Sequence, residues 1–131
     1  MRRLLAVDPG EVRIGIAVSD PSGLVARPLT VLGHTSRAQD AQAIVGLARQ
    51  EGAEMILVGL ALDADGEVGP QARRAERLAE TLRQTSSIPV ATWDESGSTQ
   101  AARRGRGQDP MLDARAAAVI LQDYLNAQAP T

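Results

Sequence analysis

A chain of 131 residues with a formal net charge of −2 and no cysteine is long enough to bury one real core and too short for two ordinary ones, so a single domain over 1–131 is expected. The missing thiols exclude disulfides, zinc-thiolate sites and cysteine nucleophiles, and leave any metal to the hard oxygen ligands that magnesium or manganese prefers. With no phenylalanine, one tryptophan and one tyrosine, a stacking platform for single-stranded bases is not available, so a nucleic acid would be held by its phosphates and its shape.

The first stretch, Arg3 to Asp20, reads RLLAVDPGEVRIGIAVSD. Residues 3–8 and 12–19 are β-like, with Ile14, Ile16 and Val18 alternating along one face, and the short PGEV between them pairs the two strands antiparallel. A third strand is expected over Leu24 to Leu32, after the Pro21-Ser22-Gly23 turn; Pro28 sits most easily there at a sheet edge. From Ser36 to Glu51 the period becomes helical, with Ala41, Ile44, Val45 and Ala48 on one stripe, Ser36 as N-cap and Gly52 as the stop. Met55 to Leu60 is a continuous apolar run, the mark of a strand covered on both faces.

A second helix is expected from Pro70 to Thr85, with Ala75, Leu78, Ala79 and Leu82 inward. Ile88 to Trp93 is the last strand, and Asp94-Glu95 stand at its tip. The final helix, capped by Asp109 with Pro110 at its first position, runs to Asn126 with Ala116, Ala117, Ile120, Leu121 and Tyr124 inward. The order βββαβαβα predicts an α/β fold: a five-stranded mixed sheet in which strands 1–3 form an antiparallel meander, strands 1, 4 and 5 run parallel, and helices flank the sheet.

Three carboxylates stand out. Asp8 ends the first buried strand, Glu95 follows the last strand, and Asp113 lies three and four residues before the inward Ala116 and Ala117, which extends the buried face of the final helix. The parallel strands bring Asp8 and Glu95 to one sheet edge, where open α/β sheets place their sites. Two divalent ions roughly 4 Å apart need several acidic ligands converging from different elements. Asp8, Glu95 and Asp113 meet that requirement as catalytic and metal-holding residues for hydrolysis of a nucleic-acid phosphodiester. Asp63, Asp65 and Glu67 lack the spacing of a calcium loop and read as a turn near the site. His34 has no partner visible in sequence and reads as an ordinary loop histidine.

All 14 basic residues are arginines. Arg73, Arg74 and Arg77 cluster on the second helix, and Arg103, Arg104 and Arg106 in a glycine-containing stretch. Arginine offers the bidentate fork that suits phosphate. Arg13, Arg103, Arg104 and Arg106 are the expected nucleic-acid contacts.

The segments VDPGEVRIGIAVSD, VGLALDADGEVGPQA, DESGSTQAA and LDARAAAVILQDYL, in that order over nearly the whole chain, resemble the Holliday junction resolvase-like family, which also comprises the nucleases that trim precursor 16S ribosomal RNA. The resemblance implies a ribonuclease H-like fold and a magnesium- or manganese-dependent endonuclease, with two ions, acting on branched DNA, on the 5′ end of the rRNA precursor, or on both. Its acidic residues fall on Asp8, Glu95 and Asp113. Where the family follows its Asp-Glu pair with arginine, leucine and two threonines, this chain has Ser96, Gly97, Ser98 and Thr99, and Ala61 and Asp63 replace the usual proline and asparagine. The holding of phosphate is thereby left to Arg103, Arg104 or Arg106.

The competing reading is a non-catalytic rRNA or ribosome maturation factor that keeps the fold, favoured by the altered Ser96-Gly97-Ser98 segment. An actin-like or sugar-kinase ATPase would need two such domains around its nucleotide. The apolar runs are far shorter than a membrane span and no signal-peptide pattern opens the chain, so a cytoplasmic protein is expected, either a monomer or, for symmetric nicking of a junction, a two-fold homodimer.

Overall fold

The computed structural model describes residues 2–62, 65–94 and 109–128. Within them five strands, β1 (Leu4–Pro9), β2 (Arg13–Ser19), β3 (Ala26–Gly33), β4 (Met55–Leu60) and β5 (Val90–Asp94), form one sheet in the order β3-β2-β1-β4-β5. β1 pairs antiparallel with β2 and parallel with β4, and β4 pairs parallel with β5. Helices α1 (Arg37–Glu51) and α2 (Pro70–Thr85) cover one face and α3 (Leu112–Gln128) the other.

Alternation along the central strands divides their side chains between two cores. Leu5, Val7, Ile56 and Val58 pack with Ile44, Val45, Leu78 and Leu82 beneath α1 and α2. Leu4, Ala6, Met55 and Leu57 pack with Ala117, Ile120 and Leu121 of α3. β4 is thus buried on both faces, as its continuous apolar run implies. Gly59 on the α3 side of β4 makes room for a neighbour, since a Cβ there would lie 2.6 Å from Ile120 Cδ1. Further along, Trp93 meets Tyr124 edge to face, with centroids 5.3 Å apart and planes at 87°.

The helix signals act as expected at α1. The Ser36 side chain accepts from the Gln39 N–H at 3.2 Å, and Gly52 stops the helix in the left-handed region at φ 69°. Three elements begin two residues later than the sequence implies. β3 begins at Ala26 rather than Leu24, because the Leu24 and Val25 N–H groups donate to Asp20 Oδ1 at 2.8 and 3.0 Å and are spent on the turn. Pro28 does lie on an edge strand, and the register there slips: Ile16 faces Thr30 while Ala17 faces Pro28, a bulge that leaves Leu29 as the extra residue. β5 begins at Val90 rather than Ile88, whose N–H turns instead to Ser86 Oγ at 3.2 Å.

The third is α3, which begins at Leu112 rather than Pro110 and runs to Gln128. Asp109 Oδ1 accepts from the Met111 N–H at 2.9 Å, a side-chain turn that sets residues 110 and 111 before the helix. Arg115 pairs back to Asp109 at 3.1 Å and braces that entry. Among the described residues no helix is long and apolar enough to cross a membrane.

Asp20 organises the turn into β3 by accepting from Ser22 Oγ at 2.5 Å and from two backbone N–H groups. Its carboxyl is lowered from the ordinary value of 3.8 to about 2, first by the Ser22 hydroxyl and then by the Val25 and Leu24 N–H groups. A carboxylate whose folded value is depressed contributes stability above its unfolded value and loses it as pH falls through the folded one. Asp20→Asn should therefore be less stable than the parent in urea at pH 6, with the difference shrinking between about pH 4 and pH 2; a difference that stays constant over that range would refute this assignment.

Candidate active site

The site is assembled at the turn end of the β1–β2 hairpin, where the start of α3 crosses it. Asp8, at the end of β1, is 3% exposed. It lies on the α3 side of the sheet with Leu4 and Ala6, and the antiparallel register sets it opposite Gly15 of β2. Gly15 has no side chain to give, and α3 uses the space: a Cβ at that position would stand 1.8 Å from the Asp113 carbonyl oxygen and 2.9 Å from the Ala114 nitrogen. The helix backbone thus rests on the strand backbone beside Asp8. This contact brings Asp113 to the first strand's acid across 105 residues of sequence.

The Asp113 side chain is 15% exposed and accepts from Arg13 Nε at 2.9 Å, while the Arg13 side chain is 61% exposed. Arg13 belongs to β2, two residues before Gly15, so one strand supplies both the seat for the helix and the cation that holds its carboxylate. A cleft of about 610 Å³ opens here, lined by Pro9, Gly10 and Arg13 from the hairpin, Gln71 and Arg74 from α2, and Asp113. Arg74 reaches Glu11 across it at 3.0 Å. The wall is therefore mixed in charge, with Asp113 paired to Arg13 and Glu11 paired to Arg74.

The donor set suits a hard divalent cation, being carboxylate oxygen from two elements with no sulfur or imidazole beside it. Among the described residues no three potential ligands gather at one point; Asp8 and Asp113 both adjoin Gly15, Asp8 as its cross-strand neighbour and Asp113 through its backbone. The third, Glu95, lies outside the described residues, as do Asp63, Ser96 to Ser98, Arg103, Arg104 and Arg106. β5 nevertheless runs parallel to β4 and ends at Asp94, opposite Leu60, so β5 ends at the same edge of the sheet as β1, whose last two residues are Asp8 and Pro9. Arg13 is beside the acids and partly exposed, on the rim of the cleft.

His34 is an exposed residue of the loop between β3 and α1, as expected, and it has a partner that the sequence does not show: its Nδ1 lies 2.5 Å from Asp40 Oδ2, and Asp40, 5% exposed, also accepts from Thr35 N at 3.0 Å and Thr35 Oγ1 at 3.2 Å. The missed signal is periodic. Asp40 stands four residues before Ile44 and eight before Ala48 on the buried stripe of α1, the same placement that singles out Asp113. The sequence signal for the Gly15 contact is the glycine itself, since a glycine among Ile14, Ile16 and Val18 marks a close backbone approach within a strand.

Against known proteins, residues 2–127 match the family model described as RuvX, Holliday junction resolvase. A relative from Chloroflexus aurantiacus, named "Putative pre-16S rRNA nuclease", is 40% identical over 133 residues, covering 95% of this chain and 87% of the relative. A protein of the same name from Caldanaerobacter subterraneus is 35% identical, covering 96% of this chain and 97% of its own. In three dimensions the chain is similar to Thermus thermophilus RuvC in complex with a Holliday junction substrate, with a TM-score of 0.63 at 16% identity over 98% of this chain and 96% of that one. It is also similar to the fowlpox virus Holliday junction resolvase, with a TM-score of 0.55 at 10% identity over 95% and 99%.

The seat at Gly15 makes a stability prediction with an internal contrast. Gly15→Ala meets fixed backbone and should cost roughly 2–3 kcal/mol or more, whereas Gly46→Ala, in the exposed middle of α1 with nothing within 4 Å of the added Cβ, should gain about 0.5–1 kcal/mol. Urea unfolding of the two variants checks this. Equal stabilities would show that α3 does not rest on Gly15.

Proposed function

The chain belongs to the RuvX Holliday junction resolvase family, a family of nucleases with a ribonuclease H-like sheet, and from that premise we propose that it is a divalent-metal-dependent endonuclease of structured nucleic acid, its whole length forming one nuclease domain. The observation that carries the proposal is the juxtaposition of Asp8 and Asp113 at Gly15. Two carboxylates set side by side at low exposure repel one another unless positive charge lies between or beside them. Arg13 supplies part of that charge on the Asp113 side.

Asp8 and Asp113, with Glu95 as the third ligand, would hold magnesium or manganese. When bound, the metal supplies an activated water and charge stabilisation of the leaving 3′-oxygen in an in-line displacement. The protein's own part is positional. Burial keeps Asp8 fixed at the strand end; Arg13 holds the Asp113 carboxylate to one orientation; and the arginines on the cleft rim meet the phosphate backbone as it enters. Phosphate contacts of this kind fix orientation and register without reading sequence.

The precursor of 16S rRNA is the favoured substrate, since relatives named for it match nearly end to end at 35–40% identity. Four-way junction DNA is the second, favoured by the family description. Cleavage assays on both substrates, with magnesium and with manganese, test the proposal together with Asp8→Asn. The metal contributes several kcal/mol of transition-state stabilisation, and each 1.4 kcal/mol is about tenfold in rate, so Asp8→Asn should lower kcat by roughly 10³-fold or more while far-UV circular dichroism is unchanged. Wild-type protein that binds but cleaves neither substrate would favour a maturation factor without chemistry, and metal-dependent cleavage surviving in Asp8→Asn would refute the assignment of the site.

A further inference from the structure

On the opposite side of the hairpin turn from the acids, a second cleft of about 410 Å³ opens between the N-terminal ends of α1 and α2. Its charged lining is His34, Arg37, Asp40, Arg73, Arg74 and Arg77. Arg74 is engaged by Glu11 at 3.0 Å. Among the described residues Arg37, Arg73 and Arg77 have no ion-pair partner and no side-chain hydrogen bond.

The one acid lining the cleft, Asp40, makes no ion pair with them. Both Asp40 oxygens are committed, Oδ2 to His34 Nδ1 and Oδ1 to the Thr35 N–H and hydroxyl. That arrangement orients the imidazole and leaves its Nε2 without a partner among the described residues. Arg73 and Arg77 stand four apart on α2, where like charges repel, and Arg37 faces the same space from the first residue of α1. Three guanidinium groups with no ion-pair partner among the described residues outnumber the one carboxylate around this concavity, an arrangement that a bound anion would relieve, and the planar fork of arginine fits phosphate oxygens.

The two clefts are not independent. Both are lined by Pro9, Gly10, Pro70 and Arg74, so they meet over the β1–β2 turn. We propose that the cleft of Arg37, Arg73 and Arg77 binds a backbone phosphate of the same nucleic acid whose scissile bond lies at Asp8 and Asp113, so that the substrate straddles the β1–β2 turn. The inference rests on the nuclease reading and adds to it a second, non-cleaving contact on the other face of the sheet. It also assigns Arg37 and the α2 arginines to the substrate, and it makes binding depend on a nucleic acid long enough to cross the turn.

The test is fluorescence anisotropy on Asp8→Asn protein, with and without the triple change Arg37→Ala, Arg73→Ala and Arg77→Ala, using labelled four-way junction DNA and labelled precursor-rRNA hairpin over a salt series. Duplex binding loses about 0.9 in log–log salt slope for each phosphate contact removed. Loss of that one contact in the triple change should therefore flatten the slope by roughly 1 and weaken binding at least tenfold at moderate salt, and the matching Arg→Lys triple should keep most of the slope. Equal affinity and slope in parent and Ala triple, while wild type cleaves, overturns the inference and leaves the nuclease reading standing. Arginine-dependent binding in a protein that cleaves nothing keeps the cleft and removes the nuclease reading. A third arm adds inorganic phosphate and a 5′-mononucleotide to the unlabelled proteins and follows thermal stability. Arginine-dependent stabilisation by these small anions, with nucleic-acid binding insensitive to the triple change, would assign the cleft to a free phosphate and overturn the proposal.

Discussion

The contact between the backbone of Gly15 and the backbone of Asp113 is the constraint on which the site depends. A strand residue with any side chain would hold α3 away from the sheet, since even a methyl group there would overlap the Asp113 carbonyl. Because Gly15 is also the cross-strand neighbour of Asp8, the closest approach of helix and sheet falls where the first strand's acid is buried. Packing further along α3 reinforces the same placement. Ile120 enters the space left by Gly59, Tyr124 meets Trp93, and the Gln122 side chain accepts from the Ala26 N–H at 2.9 Å. The helix is thereby held along its length, and its first turn is set beside Asp8 as a consequence.

Charge is layered around that contact. The acids lie low, at the strand end and on the inward side of the helix start, while arginines from β2, α1 and α2 stand higher and nearer solvent. A chain with net charge −2 therefore still carries a rim of arginines above partly buried acids. In the proposed nuclease such layering would separate two jobs that otherwise conflict: attraction of phosphate by arginine, and attraction of metal by carboxylate.

Much of this was legible in the residues, for identifiable reasons. Met55 to Leu60 reads as a doubly covered strand because nothing polar interrupts it, and Asp113 reads as inward because it is in phase with Ala116, Ala117 and Ile120. Boundaries drifted where a side chain took over a backbone partner, at Asp20 for the start of β3 and at Asp109 for the start of α3. Two features escaped for a different reason. The seat at Gly15 is a pairing between residues 98 positions apart, which no local pattern states, and the His34–Asp40 pair forms only because Ser36 turns the chain between them into a helix. Asp40 was nonetheless marked by its phase on α1, and the rule that found Asp113 applies to it equally.

The central claim is that Asp8 and Asp113 hold one cation at the Gly15 contact. Paramagnetic broadening of assigned amide resonances by substoichiometric manganese tests it without any substrate. The account predicts that the amides of Asp8, Gly15, Asp113 and Ala114 broaden first and that the effect disappears in Asp8→Asn. Broadening centred elsewhere, or undiminished in that variant, would contradict it.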